Sequence, residues 1–345
     1  MLPKLNREGF KPPKIWLTAS ALGDYRGCER QLVMDAFFRH GGMYNNWHTL
    51  FGTAFGAAAS AIACTWDGSN ELATKRAAWS ASLPFPVEAE VGSKNIETLW
   101  RAIFVWFNQW KLMYNEGWRY HSSEKLRLIQ IGFADGTAVT GGSSDLILQH
   151  SSSGVRKLLD FKAVGSNFFG AWEHDPQLIW YMLADAIETG HTNYAPPEYW
   201  TFVFKDAEAP PVLDVFQVHP GSYTNAIVGN LALIQKLCVR SNLGELSDPS
   251  PLQVAGLWRT LPVNTHACKT GNFKCFRYSQ CYEGIPINWA EPRSSYHDEA
   301  TLPATLNVTD NWLIELCEAL ETSAIGLAQP AAFNYGEFDD DDLFS

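Results

Sequence analysis

Between Lys125 and Val164 two tight-turn signals, Asp135-Gly136 and Ser151-Ser152-Ser153-Gly154, interrupt the apolar runs, and this most narrows the folds open to the chain. The segments KLRLIQIGF, AVTGGSSDLILQH and VRKLLDFKAV are short and rich in β-forming residues, so they read as consecutive antiparallel strands. PQLIWYMLADAIE follows with helical periodicity, and YWTFVFK and VLDVFQVH read as two more strands. That order predicts an α/β protein, a mixed central sheet flanked by helices.

Helices are expected at TASALGDYRGCERQLVMDAFFR, which offers Ser, Thr and Asp caps, and at the small-residue stretch LFGTAFGAAASAIA. IETLWRAIFVWFNQWKLMYNE, NAIVGNLALIQKLCVR and DNWLIELCEALET also carry helical spacing. With 345 residues and no linker, repeat or heptad array, the chain divides into an arm (1–14), one main domain (15–285), a helical segment (286–330) and an acidic tail (331–345).

The formal net charge is -11, and five of the acids, with no base among them, fall in the last nine residues. A nucleic-acid partner would therefore need a local basic groove, because Lys and Arg contacts to phosphate carry most of that affinity. No apolar run approaches the ~18 residues of a membrane span, and MLPKLNREGFKPPK lacks the apolar stretch of a signal peptide. The expectation is a soluble, cytoplasmic protein without a membrane partner.

Asp145 lies in GGSSDLILQH, and Asp160 and Lys162 lie in LLDFKAV, on the neighbouring strand of one hairpin. Side chains alternate across a strand with period two, so Asp160 and Lys162 share a face, and Asp145 can point to it. Two converging carboxylates suit Mg²⁺ or Mn²⁺, hard ions that take oxygen ligands. A neighbouring ammonium can hold a water and offset charge developing on a phosphate. An Asp-any-Lys triplet also arises by composition, and a surface ion pair on an edge strand is the plainer reading. Gln177 and Tyr181, four apart, share one helix face, as they would on any helix packed against a sheet.

Seven cysteines occur, an odd number that disfavours a disulfide framework. Cys268, Cys275 and Cys281 crowd into fourteen residues, with Cys28 about 240 residues upstream. Four thiolates suit a [4Fe-4S] cluster or Zn²⁺. Cys64, Cys238 and Cys317 fall in apolar helical patterns and read as buried small hydrophobes.

Taken in order, these elements resemble the RecB/AddB-like, iron-sulfur branch of the PD-(D/E)XK nuclease superfamily, which includes phage recombination nucleases. In that family a glycine-flanked aspartate precedes an Asp/Glu-any-Lys strand and then a Gln-x-x-x-Tyr helix, here Asp145, Asp160/Lys162 and Gln177/Tyr181. The resemblance implies a restriction-endonuclease-like core and metal-dependent DNA hydrolysis, most plausibly exonucleolytic. Asp145 and Asp160 would hold the ion, Lys162 would place the attacking water, and Gln177 and Tyr181 would assist and position DNA. Glu124, in SSEKLRL, resembles the family's glutamate on the strand before the aspartate strand; a capping or surface role is the alternative. Family members often carry Gly-x-x-x-His in a helix, whereas GTAFG puts Gly56 at that place, and His48 stands eight residues early. The resemblance also implies that Cys28, Cys268, Cys275 and Cys281 bind an iron-sulfur staple, although x6 between the first two of the late cysteines departs from the commoner spacing. A phage or bacterial origin would place the protein in the host or bacterial cytoplasm.

Arg26, Arg30, Lys269, Lys274 and Arg277 flank those cysteines, with Phe273, Phe276, Tyr278 and Tyr282 interleaved. Such a surface suits DNA by phosphate attraction and base stacking; a solvated loop packing aromatics over the cluster is the alternative. The ending NYGEFDDDDLFS suits a solvated tail, a peptide docking on a replication or single-stranded-DNA-binding protein, or a DNA mimic in the chain's own groove. Two rival functions stand beside the nuclease: a non-catalytic DNA-binding scaffold that keeps the fold, and a zinc-stapled RNA or structure-specific nuclease.

Overall fold

A computed structural model describes residues 16–19, 22, 47–86, 93–134, 136–165, 172–205, 209–241, 269–270, 273–274 and 305–327. In chain order these form β1 (Trp16–Thr18), α1 (Trp47–Thr65), α2 (Glu71–Ser82), α3 (Ile96–Asn115), β2 (Trp118–Ser122), β3 (Arg127–Phe133), β4 (Gly136–Gly142), β5 (Leu146–His150) and β6 (Arg156–Val164). There follow α4 (Gln177–Thr189), β7 (Glu198–Val203), β8 (Val212–Gln217), α5 (Tyr223–Ser241), a short pair β9 (Lys269–Thr270) and β10 (Phe273–Lys274), β11 (Thr305–Thr309) and α6 (Asp310–Leu327).

The mixed α/β class holds, but the strands divide between two mixed sheets rather than one central sheet. The larger has the order β2-β5-β6-β7-β8, antiparallel except where β6 and β7 run parallel. The smaller has the order β1-β4-β3-β11, with the antiparallel β3/β4 hairpin between two parallel edge strands. AVTGGSSDLILQH, expected as one strand, is thus split: its first half pairs in the smaller sheet and its second in the larger. The crossing occurs at Gly141-Gly142. Gly141 has φ +145, and a Cβ there would come within 2.0 Å of the Arg127 carbonyl, so only glycine lets the backbone pass.

Helix α3 begins in a reciprocal cap: Asn95 Oδ1 accepts the Thr98 N–H at 2.9 Å, and the Thr98 hydroxyl accepts the Asn95 N–H at 3.0 Å. Its buried positions Leu99, Ile103, Trp106 and Trp110 recur at three- and four-residue spacing. Small residues on α1 let α3 come close enough for the Trp106 indole N–H to reach the Ala59 carbonyl at 3.1 Å. Together α1 and α3 cover one face of the larger sheet, against Leu146, Leu148, Leu159, Phe161, Trp200 and Phe202. Truncating Trp106 to Ala should cost about 3–5 kcal/mol.

Helix α4 covers the other face, against Ile147, Leu158 and Tyr199, and its residues Leu178 to Ile187 are all buried. A helix buried on every side must be enclosed, and α4 packs on β6 of one sheet and on β3, β4 and β11 of the other. The same core takes in α5 and α6, so residues 305–327, expected as part of an appended helical segment, supply an edge strand and a covering helix to it. Among the described residues no helix is long and apolar enough to cross a membrane.

The expected arm (1–14), most of the first expected helix and the tail (331–345) lie outside the described residues. Trp16–Thr18, which ends where the expected capping stretch begins, is extended and pairs with Val139–Gly141.

Candidate functional site

The site forms where the two sheets part. β5 and β6 pair in the register Leu146↔Leu159, so Asp145, one step earlier, stands opposite Asp160. Asp145 Oδ2 accepts the Phe161 N–H at 2.7 Å. Alternation along β6 turns Leu159 and Phe161 into the α1/α3 core, where Phe161 meets Trp106 edge-on, and turns Leu158, Asp160 and Lys162 toward α4. The period-two expectation for Asp160 and Lys162 therefore matches the strand, and Asp145 reaches the same neighbourhood.

Asp160 is 3% exposed, and its Oδ2 lies 2.6 Å from the Lys162 ammonium. Burial, then the charges of Asp160 and Glu124, push the Asp145 carboxyl well above the usual carboxylate range, against the pull of Lys162 and the Phe161 N–H. Burial opposes the Lys162 charge, but Asp160 and Asp145 outweigh it and push the ammonium above its ordinary value. Lys162 is therefore a fixed cation beside crowded carboxylates.

Glu124 was expected on a strand. It instead occupies the bend between β2 and β3 at φ 50, the sole non-glycine residue with positive φ among the described residues. Its N–H donates to the Ser144 carbonyl at 3.0 Å, tying the bend to the residue before Asp145. Glu124 is exposed by its surface area, yet its carboxyl sits low enough beside the site that partial desolvation and then Asp160 push it up, while a hydrogen bond from Ser143 pulls it down. A left-handed glutamate whose charge is felt by two aspartates is strain of the kind that clusters at functional sites. Gly56 of α1 faces this group: a Cβ on it would sit 3.9 Å from Glu124 Oε1. The position where a histidine was missed in the sequence is therefore beside the carboxylates.

Helix α4 brings the remaining pair. Asp175 Oδ1 accepts the Gln177 N–H at 2.8 Å, satisfying one orphan donor of the first turn. The Gln177 amide donates to the Tyr181 hydroxyl at 2.7 Å. The Tyr181 ring lies over Gly142, where a Cβ would come within 2.5 Å of it, and Tyr181 is close enough to raise the Lys162 ammonium further.

Tyr199 was not anticipated. It is fully buried in β7 at the register position of Asp160, and Lys162 Nζ lies 5.4 Å from its ring centre. Burial and then the Asp160 charge hold its phenol protonated, and Asp175 bonds to it. The strand EYWTFV is buried throughout, so its apolar run hides which residues face the aspartates. Only the parallel register beside Asp160-Phe161-Lys162 identifies Tyr199.

Cys28, Cys268, Cys275, Cys281, Arg26, Arg30 and Arg277 lie outside the described residues; Lys274 is described only as backbone in β10. Among the described residues no three His, Cys, Asp or Glu side chains form a ready metal group. Cys238 and Cys317 are buried as expected, but Cys64 is exposed. It falls off the stripe formed by Phe51, Ala54, Phe55, Ala58, Ala59 and Ile62, so its place in the helix turns it to solvent.

No protein-family model and no curated protein matches the chain. Among solved structures, the crystal structure of SSO0001 matches at 11% identity over 66% of this chain and 79% of that one, with a TM-score of 0.27. A likeness of that size carries no argument about fold or function.

Proposed function

We propose that the protein is a divalent-metal-dependent DNA nuclease of the PD-(D/E)XK type, an exonuclease acting on single strands or duplex ends. The observation that carries this reading is the convergence of Asp145, Asp160 and Lys162 beside Glu124, with the Asp145 carboxyl raised by burial first and then by the charge of Asp160. The sequence of a glycine-flanked aspartate, an Asp-Phe-Lys strand and a Gln-x-x-x-Tyr helix folding onto that strand supports it.

The donors suit a hard cation. Asp145, Asp160 and Glu124 are oxygen ligands in excess of the one neighbouring ammonium, and Mg²⁺ needs only one or two carboxylates, with waters and phosphate completing its shell. Asp145 and Asp160 would hold Mg²⁺ or Mn²⁺, which when bound polarises the scissile phosphate and acidifies water. The rest falls to the chain's own groups. Lys162, raised rather than lowered, acts as a donor: it orients the attacking water and offsets charge on phosphoryl oxygens, and is not the base. Tyr199 and Asp160 fix its head. The Gln177 amide donates to the Tyr181 oxygen and so holds that hydroxyl in place, where it would contact DNA. Hydrolysis adds hydroxyl to phosphorus and a proton to the departing oxygen.

The finer reading includes a [4Fe-4S] staple on Cys28, Cys268, Cys275 and Cys281, with Zn²⁺ as the other occupant those thiolates suit. Iron and sulfide analysis of anaerobically prepared protein distinguishes them, and loss of the visible absorption in Cys275→Ala identifies that ligand. Gly56 favours one second reading, a DNA-binding scaffold, since it leaves an imidazole's place empty beside Glu124. Degradation of end-labelled single- and double-stranded DNA with Mg²⁺ or Mn²⁺, in wild type and Lys162→Ala, decides between them. Metal-dependent cutting lost in the variant supports the nuclease, whereas a wild type that binds and never cuts supports the scaffold.

A further inference from the structure

Four residues beyond Tyr181, α4 carries a carboxylate that the proposed chemistry does not use. Asp185 is 0% exposed. Its Oδ1 accepts from Arg127 Nη2 at 2.8 Å, and its Oδ2 accepts from Arg156 Nη1 at 2.8 Å and from the Tyr194 hydroxyl at 2.5 Å. Arg127 also reaches Glu188 Oε2 at 2.8 Å, and Arg156 reaches the Thr189 hydroxyl at 2.9 Å. One carboxylate thus joins the first residue of β3, in the smaller sheet, to the first residue of β6, in the larger.

Where these strands lead gives the arrangement its meaning. Arg127 stands three residues after Glu124, and Arg156 stands four residues before Asp160, about 13 Å along an extended strand. From Gln177 to Asp185 is eight residues of helix, about 12 Å. α4 is the crossover between parallel β6 and β7, so it runs back along β6. The Gln177 end therefore lies by Asp160 and Lys162, and the Asp185 end lies by Arg156. The two spans match, closing a frame whose far side is the Asp185 clamp and whose near side is the site. A helix turned or slid by one residue would carry Asp185 away from both guanidinium groups.

We propose that Asp185 is a positioning residue, which sets the reach of Gln177 and Tyr181 over Asp160 and Lys162 and the separation of the two sheets beside the site. Its activity consequences rest on the nuclease reading; its geometric consequence does not. Buried ionic groups are retained for register rather than for stability in the best-attested cases, and here the register is that of the site.

The test uses the full chain, with 3-fluorotyrosine placed at position 181, and the variants Asp185→Asn and Arg156→Lys. Arg156→Lys keeps the charge but loses the forked geometry, and serves where Asp185→Asn does not fold. The ¹⁹F resonance at position 181 should shift or broaden in either variant, at a temperature where circular dichroism shows it folded. In the cleavage assay kcat should fall about tenfold in Asp185→Asn with KM changed less than twofold. Combining it with Tyr181→Phe should lower kcat no further than the worse single variant. An unchanged ¹⁹F signal in folded variants overturns the proposal, as does a wild-type kcat per folded molecule. If the wild type itself does not cut, the nuclease reading fails while the ¹⁹F comparison still decides the clamp.

Discussion

The two ends of α4 each meet a cluster of charge around a buried aspartate, Asp185 at one and Asp160 at the other, and the clusters are built on opposite terms. At the far end Asp185 and Glu188 face Arg127, Arg156 and Lys125, and each Asp185 oxygen meets a guanidinium at 2.8 Å. At the near end three carboxylates, Glu124, Asp145 and Asp160, crowd one described ammonium, and two of the three are pushed up in pKa. Both clusters draw on the same helix and the same strand, and in each the outer members, Glu124 at one end and Lys125 and Glu188 at the other, meet solvent. What separates them is sign and pairing: at the far end two carboxylates meet three cations and both Asp185 oxygens are paired, which fixes geometry, whereas at the near end the carboxylates outnumber the one described ammonium.

The strongest way to break this contrast is to remove a charge from each end. Asp160→Asn should lower metal-dependent cleavage about 10³-fold, in the range of losing a central electrostatic group, with little loss of thermal stability. Cleavage within tenfold of wild type would mean that the surplus charge is not catalytic. Asp185→Ala should act on the fold first, destabilising it by about 3–5 kcal/mol, because it leaves the buried Arg156 without a carboxylate and takes from Arg127 one of its two. Urea titration followed by tryptophan fluorescence measures this, and a loss below about 1 kcal/mol would show that the arginines find water instead.

Only one of these two ends was legible in the sequence. Asp160 and Lys162 share a face because strands alternate, and the flanking turn signals located the strand well enough to use that rule. Nothing local marks Asp185: it sits in the run YMLADAIE, and its partners lie 58 and 29 residues upstream. For the same reason β1 and β11 went unread, being three and five residues long and defined by parallel pairing with β4 and β3. Helix α2 has little apolar signal, burying only Thr74, Ala78 and Ser82. The division into two sheets was hidden in Gly141-Gly142, which signals a bend but not what each side of the bend will pair with. Glu124 was singled out by its place upstream of Asp145, as the resemblance implies, while its left-handed backbone exists only in the fold.

A smaller effect sharpens the comparison by stability alone. Asp145 has its folded pKa raised above its unfolded value of about 3.8, so the native state binds the proton more tightly than the unfolded state. Its contribution to stability is present at acid pH and is lost as pH rises through the folded value. Asp145→Asn mimics the protonated form at every pH. It should therefore stabilise the protein by about 1 kcal/mol at pH 8, and this gain should vanish toward pH 4. Thermal melts of both proteins across that range, without divalent metal, make the test; a gain that grows on acidification would contradict the surplus-charge account.

The smallest effect belongs to the clamp end and has the opposite sign. His121 and His191 are both held below the ordinary histidine value, by burial first and with the Arg156 charge contributing. His191 Nε2 bonds the Asn193 carbonyl at 2.9 Å, and its ring meets Tyr194 edge-on at 5.0 Å, beside the phenol that Asp185 accepts. Below about pH 6.5 the unfolded chain takes up protons that these imidazoles resist, so stability falls as pH falls. Acid thus burdens the clamp while it relieves the carboxylates at the site. His191→Asn should remove part of that burden, narrowing the melting-temperature difference between pH 7.5 and 5.5 by about a degree or two, since both histidines retain some access to water. A wider difference in the variant would place the acid sensitivity of this end elsewhere than in the imidazole beside Tyr194.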